Sequence, residues 1–254
     1  MNRRWPGVLG AIGATVLILT INIGGCGGTH LLSRDDEVRM GREAAADFEA
    51  KNGGQSRDAR LVGLTRTIGP RITRVATTAP YYAYPYDFRT LDNRQVNANA
   101  FPGGIIYMWR GLFEAVKYDE AQLAWVAGHE ATHVARRHAT QRIERQLGYS
   151  LIIQLALGKG DVAQIAGAVS GLTLQAYGRD QELEADRLGA QFTRQAGYDP
   201  TAALAVLETF KKIQGKEPSD LEIFFASHPG NSTREDHLKA YFREQGWSGK
   251  YFRP

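Results

Sequence analysis

A short run in the middle of the chain, residues 129–133, reads His-Glu-Ala-Thr-His. Residues four positions apart share one face of a helix, so the imidazoles of His129 and His133 can bind the same metal ion. Glu130 then stands beside that ion, where a carboxylate can take a proton from an activated water molecule. We therefore predict one zinc ion per chain, held in part by His129 and His133, with Glu130 as the general base of a metalloprotease.

The residues around this run favour a buried helix. Asp119 to Gln122 has the pattern of a capping box that opens a helix. The positions that follow are mostly apolar, and they include Leu123, Trp125, Val126, Ala127, Ala131 and Val134. Two buried histidines and a glutamate are costly unless their polar atoms are satisfied, and a metal ion would satisfy them. The alternative is a helix whose two histidines pack against carboxylates without a metal.

A third metal ligand is expected from a second helix. The sequence Asp-Gln-Glu-Leu-Glu-Ala-Asp begins at Asp180, and we expect a helix that Asp180 caps and Gly197 ends. Glu182 and Asp186 are four positions apart and share a face. One carboxylate can therefore bind the metal while the other holds a ligand imidazole by its second nitrogen. Glu184 lies off that face, and we expect it to be solvated.

Other elements must position these residues. Helices are predicted from Ser33 to Asn52 and over about residues 58–76, where Pro70 would kink the helix or mark a boundary. Residues 79–92 carry aromatics and prolines and predict strands with a turn. Residues 147–176 are apolar and rich in glycine, which favours buried or lid-forming helices. The sequence therefore predicts an α+β fold, a mostly helical, zincin-like metalloprotease domain with a small β-sheet next to the metal-binding helix.

A predicted strand precedes the metal-binding helix. Gly103 and Gly104 follow a proline and break the pattern, and Ile105 to Trp109 is strand-like. An extended peptide can add to the open edge of such a strand, so that main-chain hydrogen bonds hold the peptide whatever its sequence. We therefore predict a substrate-binding strand that includes Gly103, Gly104, Ile105 and Ile106. An ordinary core strand fits the same pattern equally well.

Length and composition limit the possible functions. The 254 residues, 43% of them hydrophobic and 23% charged, are typical of one globular domain with a substantial core. The formal charge is +4, and without Arg3 and Arg4 the chain keeps 29 basic and 27 acidic side chains. No basic stripe interleaved with aromatics occurs in the sequence, so we expect no nucleic-acid partner.

The first residues predict export and lipid attachment. Two arginines precede an apolar stretch from Val8 to Ile23, which is typical of a secretory signal, although an uncleaved membrane anchor would also fit. The stretch ends in Ile-Gly-Gly-Cys, which resembles a bacterial lipobox, and Cys26 is the only cysteine. We therefore expect a signal peptide over residues 1–25, a tether acylated at Cys26 over residues 26–33, and a peptidase domain over residues 34–254.

Taken together, the motifs resemble those of the M48 family of zinc metallopeptidases. The His-Glu-x-x-His run carries this resemblance together with the later Glu182-x-x-x-Asp186. Four further segments match the family's landmarks: Asn99–Gly104, His133–His138, Gly197–Pro200, and Ser227–Pro229 with Arg234. The resemblance covers about residues 34–240.

The resemblance implies a role for each carboxylate and histidine of the motif. His129, His133 and Glu182 would bind zinc, and Glu130 would be the general base. Asp186 would orient His129 through the second ring nitrogen of that ligand.

Two later residues are also implicated in catalysis. Either His228 or Arg234 could donate a hydrogen bond to the tetrahedral oxyanion. Alternatively, His228 could occupy the fourth zinc position and hold the enzyme inactive. His228 could also be a surface turn residue before a proline. For His138 and His237 we expect only structural or solvated positions.

The sequence also differs from some family members. The multi-span members carry several membrane helices, and the longer periplasmic members carry helical repeats after the catalytic domain. The present sequence resembles the compact lipoprotein members instead. An Asp after the acylated Cys resembles a signal for retention in the inner membrane, whereas in this sequence Gly27 follows Cys26. We therefore expect lipid anchoring in a bacterial cell envelope, on the periplasmic side of the outer membrane.

The expected activity is zinc-dependent cleavage of unfolded or misassembled envelope proteins. An alternative is an envelope assembly factor or chaperone-like binder whose zinc site is plugged. The presence of Glu130 disfavours that alternative, because binding alone needs no base. A zinc hydrolase of small molecules is disfavoured by a strand suited to peptides.

Overall fold

The helix that carries the His-Glu-x-x-His run lies at the centre of the computed structural model. The structure describes residues 31–146, 169, 171, 175–214, 228 and 231–253. In chain order its helices are α1 (Arg34–Lys51), α2 (Ala59–Ala76), α3 (Arg110–Ala115), α4 (Glu120–Ala135), α5 (His138–Gln146), α6 (Arg179–Gln195), α7 (Ala202–Gln214) and α8 (Asn231–Glu244). Its strands are β1 (Asp87–Leu91), β2 (Ala98–Ala100) and β3 (Ile105–Trp109). The predicted α+β class, mostly helical with a small sheet, is confirmed.

Helix α4 begins and ends at residues that other parts of the chain hold. Asp119 caps its start by accepting a hydrogen bond from the backbone N–H of Gln122 at 3.1 Å, and it also accepts one from Tyr251 at 2.6 Å. At the other end Arg137 has a φ of 58°, which stops the helix. Its guanidinium donates to the buried carboxylate of Glu37 in α1 at 2.7 Å. This ion pair stabilises a backbone conformation that is costly for any residue with a side chain.

The outer helices lie close to where the sequence places them. Helix α2 is capped by Asp58 and continues past Pro70 to Ala76, so Pro70 is not a boundary. Helix α6 begins two residues earlier than expected, with Gly178 rather than Asp180 at the N-cap. Asp180 lies in the first turn instead, where its negative charge favours the positive end of the helix dipole.

The three strands form one sheet in the order β1-β3-β2. Strand β3 pairs with β1 in parallel, from Asp87 opposite Ile105 onward, and with β2 in antiparallel, with Ala100 opposite Ile106. The expectation of strands over residues 79–92 is only partly correct, because strand structure begins at Asp87. The preceding aromatic segment is irregular, and Tyr86 donates a hydrogen bond to the backbone of Ala131 in α4.

The predicted substrate-binding strand does not have the open edge that was expected of it. Ile105 and Ile106 belong to β3, which is the central strand and has a partner along each edge. Gly104 accepts a hydrogen bond from the backbone of Asp87 at 3.0 Å, and a Cβ atom at Gly103 would collide with Val38 of α1. A peptide therefore has no free strand edge at Ile105 and Ile106. The sheet edge on the side of α4 belongs to β2.

Alternation along β3 divides the core into two parts. Ile106 and Met108 face a large cluster that packs against α2, α4 and the later helices. Ile105, Tyr107 and Trp109 point the other way, toward α1. All five residues of β3 are buried, as expected for a strand covered on both faces.

Two predictions concern residues that lie wholly or mostly outside the described ranges: the lipidated N-terminus, and the buried or lid-forming helices. These residues are the signal peptide, Cys26 and most of residues 147–176. The end of the predicted tether is docked on the domain: Leu32 is buried, and its carbonyl accepts a hydrogen bond from Arg137 at 2.5 Å. The tether over residues 26–33 stays a prediction, and its described end lies in contact with the domain. Within the described ranges, every helix is too short or too polar to cross a membrane.

Candidate metal centre

Helix α4 brings the two motif histidines together as predicted. The Nε2 atoms of His129 and His133 are 3.0 Å apart, and both side chains are almost fully buried. Their positions on one face follow from the four-residue spacing. Burial lowers the pKa of His133 well below its usual range, so this ring is neutral and can offer a lone pair.

Helix α6 lies against α4 at two glycines. A Cβ atom at Gly189 would be 2.8 Å from the backbone nitrogen of His129, and one at Gly128 would be 2.8 Å from the carbonyl oxygen of Gly189. Without side chains between them, the two backbones approach closely. Glu182, two turns before Gly189, therefore reaches the histidines, with an oxygen 3.5 Å from Nε2 of His133.

His228 completes a cluster of four candidate ligands. Its Nδ1 atom lies 3.4 Å from Nε2 of His129 and 2.9 Å from a carboxylate oxygen of Glu182. One ligand atom from each of His129, His133, Glu182 and His228 lies within 4.8 Å of the other three. The sequence left three roles open for His228, and two of them, the fourth zinc ligand and the oxyanion donor, need this position beside the other ligands. His228 is fully buried, which excludes the surface turn.

The spacing of these atoms fits a zinc ion. Ligands at about 2.0–2.1 Å from zinc in tetrahedral geometry are about 3.3 Å from one another. The measured separations are 3.0 Å for His129 and His133, 3.4 Å for His129 and His228, 2.9 Å for His228 and Glu182, and 3.5 Å for His133 and Glu182. Imidazole and carboxylate are also the ligand types that zinc accepts. The residues present therefore suit a single zinc ion.

Glu130 lies next to this cluster without ligating. One of its oxygens is 3.4 Å from Nε2 of His228, and neither oxygen accepts a hydrogen bond from a described residue. The side chain is buried, and burial raises the pKa of Glu130. A buried carboxylate with free lone pairs and a raised pKa is suited to accept and return a proton.

Asp186 and Arg234 support the cluster from behind. An oxygen of Asp186 lies 3.0 Å from Nδ1 of His129, on the side of the ring away from the ligand atom. Arg234 donates to both oxygens of Asp186, at 2.8 and 2.6 Å, and its third nitrogen lies 2.8 Å from Glu182. The guanidinium therefore binds both carboxylates that the sequence predicted to share a face of α6, Glu182 and Asp186.

Charges within the cluster determine the ionisation of these groups. Burial would raise the pKa of Glu182, but the positive charges of His228 and Arg234 outweigh it and hold that pKa well below its usual range. The pKa of Asp186 is lowered in the same way, mainly by Arg234 against the effect of burial. Both carboxylates are therefore anionic, as a ligand and a partner of a ligand must be.

The sequence analysis missed a second chain of contacts. His138 is buried, and its Nδ1 atom lies 2.9 Å from Nδ1 of His133. Its Nε2 atom lies 3.2 Å from an oxygen of Glu184, which also pairs with Arg136 at 2.6 Å. The expectation that Glu184 is simply solvated is therefore wrong, because the start of α5 brings His138 to it. His237 is exposed, as expected.

A tyrosine lies against the same ligand. The ring of Tyr177 stacks on His133, with centroids 3.7 Å apart and planes at 18°. Arg142 lies over the other face of Tyr177, 3.9 Å from its centroid. Only the position of Tyr177, two residues before α6, could have suggested this contact from sequence.

The arrangement defines a class of site: two histidines of a His-Glu-x-x-His helix, a glutamate of a following helix, and a buried carboxylate base. Comparison with known proteins agrees with it. Residues 64–242 match the model of Peptidase family M48, and the chain belongs to this family.

Several curated relatives carry this domain. The chain is 31% identical over 164 residues to the mitochondrial metalloendopeptidase OMA1 of Arabidopsis thaliana, covering 64% of this chain and 33% of that protein. It is 31% identical over 158 residues to the beta-barrel assembly-enhancing protease of Escherichia coli, covering 57% and 32%. It is 26% identical over 161 residues to the metalloprotease LoiP of the same organism, covering 61% and 62%. The matched region is thus about a third of the length of the first two relatives.

Proposed function

We propose that this protein is a zinc metalloendopeptidase that uses Glu130 as its general base. The observation that carries this proposal is the set of four ligand atoms within 4.8 Å of one another, with the free carboxylate of Glu130 beside them. Zinc would be held by His129, His133 and Glu182. When bound there, zinc would act as a Lewis acid, which polarises a carbonyl group and lowers the pKa of a water molecule.

The chain's own residues carry the proton. Glu130 takes a proton from the attacking water and returns it to the leaving amine, and its raised pKa matches both steps. Asp186 holds the His129 ring by Nδ1, so that Nε2 keeps facing the ligand position. Arg234 keeps Asp186 and Glu182 ionised and in place. In this arrangement Arg234 is a positioning residue, because it binds the ligand Glu182 and also Asp186, the partner of the ligand His129.

His228 occupies the place of a fourth ligand. Its Nδ1 is near Nε2 of His129 and its Nε2 is 3.4 Å from Glu130, so it lies between the other candidate ligands and the base. Catalytic zinc sites keep this fourth position open. We therefore propose a resting form in which His228 plugs the site and must move before a substrate carbonyl enters. A permanently plugged site would instead make the protein an envelope assembly factor or chaperone-like binder.

The substrate is proposed to bind along β2. The backbone N–H of Phe101 donates to Ile105, and that of Trp109 donates to Asn97. Asn97 and Phe101, the residues on either side of β2, therefore direct these backbone groups toward β3. In an antiparallel pair the backbone groups of alternate residues point the other way, so those of Ala98 and Ala100 face the opposite edge. The N–H of Ala98 already donates to the side chain of Asn97 at 2.9 Å, so a peptide would pair at Ala100. An extended peptide can add there by main-chain bonds. Such binding suits unfolded or misassembled proteins, because it does not depend on side-chain sequence.

The location is proposed from the N-terminal sequence and the relatives. A lipobox-like Ile-Gly-Gly-Cys sequence ending at Cys26 supports lipid attachment in a bacterial envelope, on the periplasmic side of the outer membrane. The similarity to a protein named beta-barrel assembly-enhancing protease supports the proposal that the substrates lie in that envelope.

The test compares the full chain with its Glu130→Gln and His228→Ala variants, using unfolded casein and measuring bound zinc. We expect the wild type to cut, Glu130→Gln to bind equal zinc and lose at least about 1,000-fold in rate, and His228→Ala to cut faster. Zinc bound by all three chains without cleavage by any would favour the binder. Absence of zinc from the wild type would refute the metallopeptidase.

A further inference from the structure

His133 differs from His129 in what lies behind its ring. Behind His129 there is a carboxylate, Asp186, in direct contact. Behind His133 there is a second imidazole, that of His138, and only then a carboxylate, that of Glu184. We propose that His138 and Glu184 are positioning residues that fix the orientation and tautomer of His133 as a zinc ligand. This inference rests on the proposed function, because it needs a metal at the cluster.

The proton positions follow from the geometry. His133 faces the other ligands with Nε2, so that nitrogen must offer its lone pair and a neutral ring carries its proton on Nδ1. That N–H donates across 2.9 Å to Nδ1 of His138, which therefore has the lone pair at that atom. The proton of His138 is then on Nε2 and donates to Glu184 across 3.2 Å. Each contact has one donor and one acceptor.

The surrounding elements hold His138 in this place. His138 is the first residue of α5 and is 1% exposed. On either side of it, Arg137 and Thr140 both donate to the buried carboxylate of Glu37 in α1. Arg136 pairs with the second oxygen of Glu184. The turn between α4 and α5 is thus tied to α1 and α6, and His138 cannot turn away without breaking one of these contacts.

Two contacts restrict different movements of the His133 ring. The stacking of Tyr177 at 3.7 Å restrains the plane of the ring. Rotation within that plane would bring Nε2 out of the ligand position, and the bond from Nδ1 to His138 opposes it. Partners of this kind behind a ligand histidine typically change metal affinity by about 10- to 100-fold.

The experiment measures the zinc dissociation constant of the full chain by competition with a chelator. We expect His138→Met to raise the constant by about 10- to 100-fold and Glu184→Ala by about tenfold. His138→Asn retains an acceptor near the position of Nδ1 and should restore affinity to within about threefold of the wild type. The matched control is Arg136→Gln, which removes the other partner of Glu184 and should change the constant by about twofold at most.

A merely structural role is excluded by two further readouts. Unfolding of the metal-free Glu184→Ala variant should remain one cooperative transition, as in the wild type, and nitrogen-15 spectra of the zinc-loaded protein should place the proton of His133 on Nδ1. Unchanged zinc affinity in both His138→Met and Glu184→Ala would overturn the inference while leaving the proposed function standing. If His138→Met does not fold, Glu184→Ala decides, because the Glu184 side chain is 34% exposed whereas that of His138 is 2% exposed. A wild type that binds no zinc would refute the proposed function and this inference with it.

Discussion

Gly189 lies directly against His129: a Cβ atom added to this glycine would be 2.9 Å from the Cα atom of the histidine. The contact joins the two helices that supply three of the four candidate ligands. It determines how far Glu182 and Asp186 reach toward His129 and His133, since all four are carried on the two backbones. The geometry of the metal centre therefore depends on a residue that has no side chain.

The first prediction concerns this contact. Gly189→Ala should destabilise the protein by about 1–3 kcal/mol, because a methyl group between two helix backbones forces them apart. It should also weaken zinc binding. Chemical denaturation of the metal-free chain and chelator competition measure the two effects.

Gly63 offers a matched control for this prediction. It lies in the exposed part of α2, and a Cβ atom there meets nothing within 4 Å. Gly63→Ala should stabilise the chain by about 0.5–1 kcal/mol, because alanine loses less conformational entropy in a helix. A Gly189→Ala variant as stable as the wild type would show that α4 and α6 can separate freely.

The second prediction concerns Arg234, whose guanidinium lies between two buried carboxylates. Arg234→Met should destabilise the metal-free protein by about 3–5 kcal/mol, because Asp186 and Glu182 would be left buried without their cation. Arg243→Met, at an exposed position of the same helix, should change stability by less than about 0.5 kcal/mol. Urea denaturation of the two variants makes the comparison, and equal losses would contradict the role given to the buried pair.

The third prediction concerns pH and the start of α4. Burial would raise the pKa of Asp119, but hydrogen bonds from Tyr251, the Gln122 backbone and Lys250 outweigh it and lower that pKa. A carboxyl with a lower pKa in the folded than in the unfolded state contributes its stability above the unfolded value, about 3.9, and loses it as the pH falls through the folded value. Asp119→Asn should therefore be less stable than the wild type at pH 7, by about 1 kcal/mol.

The measurement is chemical denaturation of wild type and Asp119→Asn at pH 7 and at pH 3. Asparagine also caps helices well, so the variant isolates the charge from the cap. The difference between the two proteins should shrink at the lower pH, where the native carboxyl begins to protonate. A difference that is constant or grows toward acid would contradict the lowered pKa.

The fourth prediction concerns removal of the metal. Zinc that binds only the folded chain stabilises it by mass action, by about 4 kcal/mol when free zinc is 1,000 times the dissociation constant. A chelator should therefore lower the melting temperature of the wild type. In Glu182→Gln, which loses the anionic ligand, the shift should be much smaller. Equal shifts in both proteins would place the zinc elsewhere.

The sequence by itself determined the parts of the site that depend on local periodicity. A spacing of four puts His129 beside His133 and Glu182 on the face of Asp186, whatever the rest of the chain does. Apolar patterning and capping residues likewise located α1, α2 and α4 to within a few residues. These features follow from bonds and contacts between near neighbours, so the sequence alone was sufficient.

Only the tertiary structure decided the contacts between elements. His138 follows the end of α4, and its direction depends on the left-handed conformation of Arg137 and on Glu37, 100 positions earlier along the chain. The order of the strands decided that β2, rather than β3, has the edge beside α4. The place of His228 among the ligands likewise depends on how distant segments pack. Periodicity carries no information about such pairings, because each one is selected by the free energy of burying whole elements together.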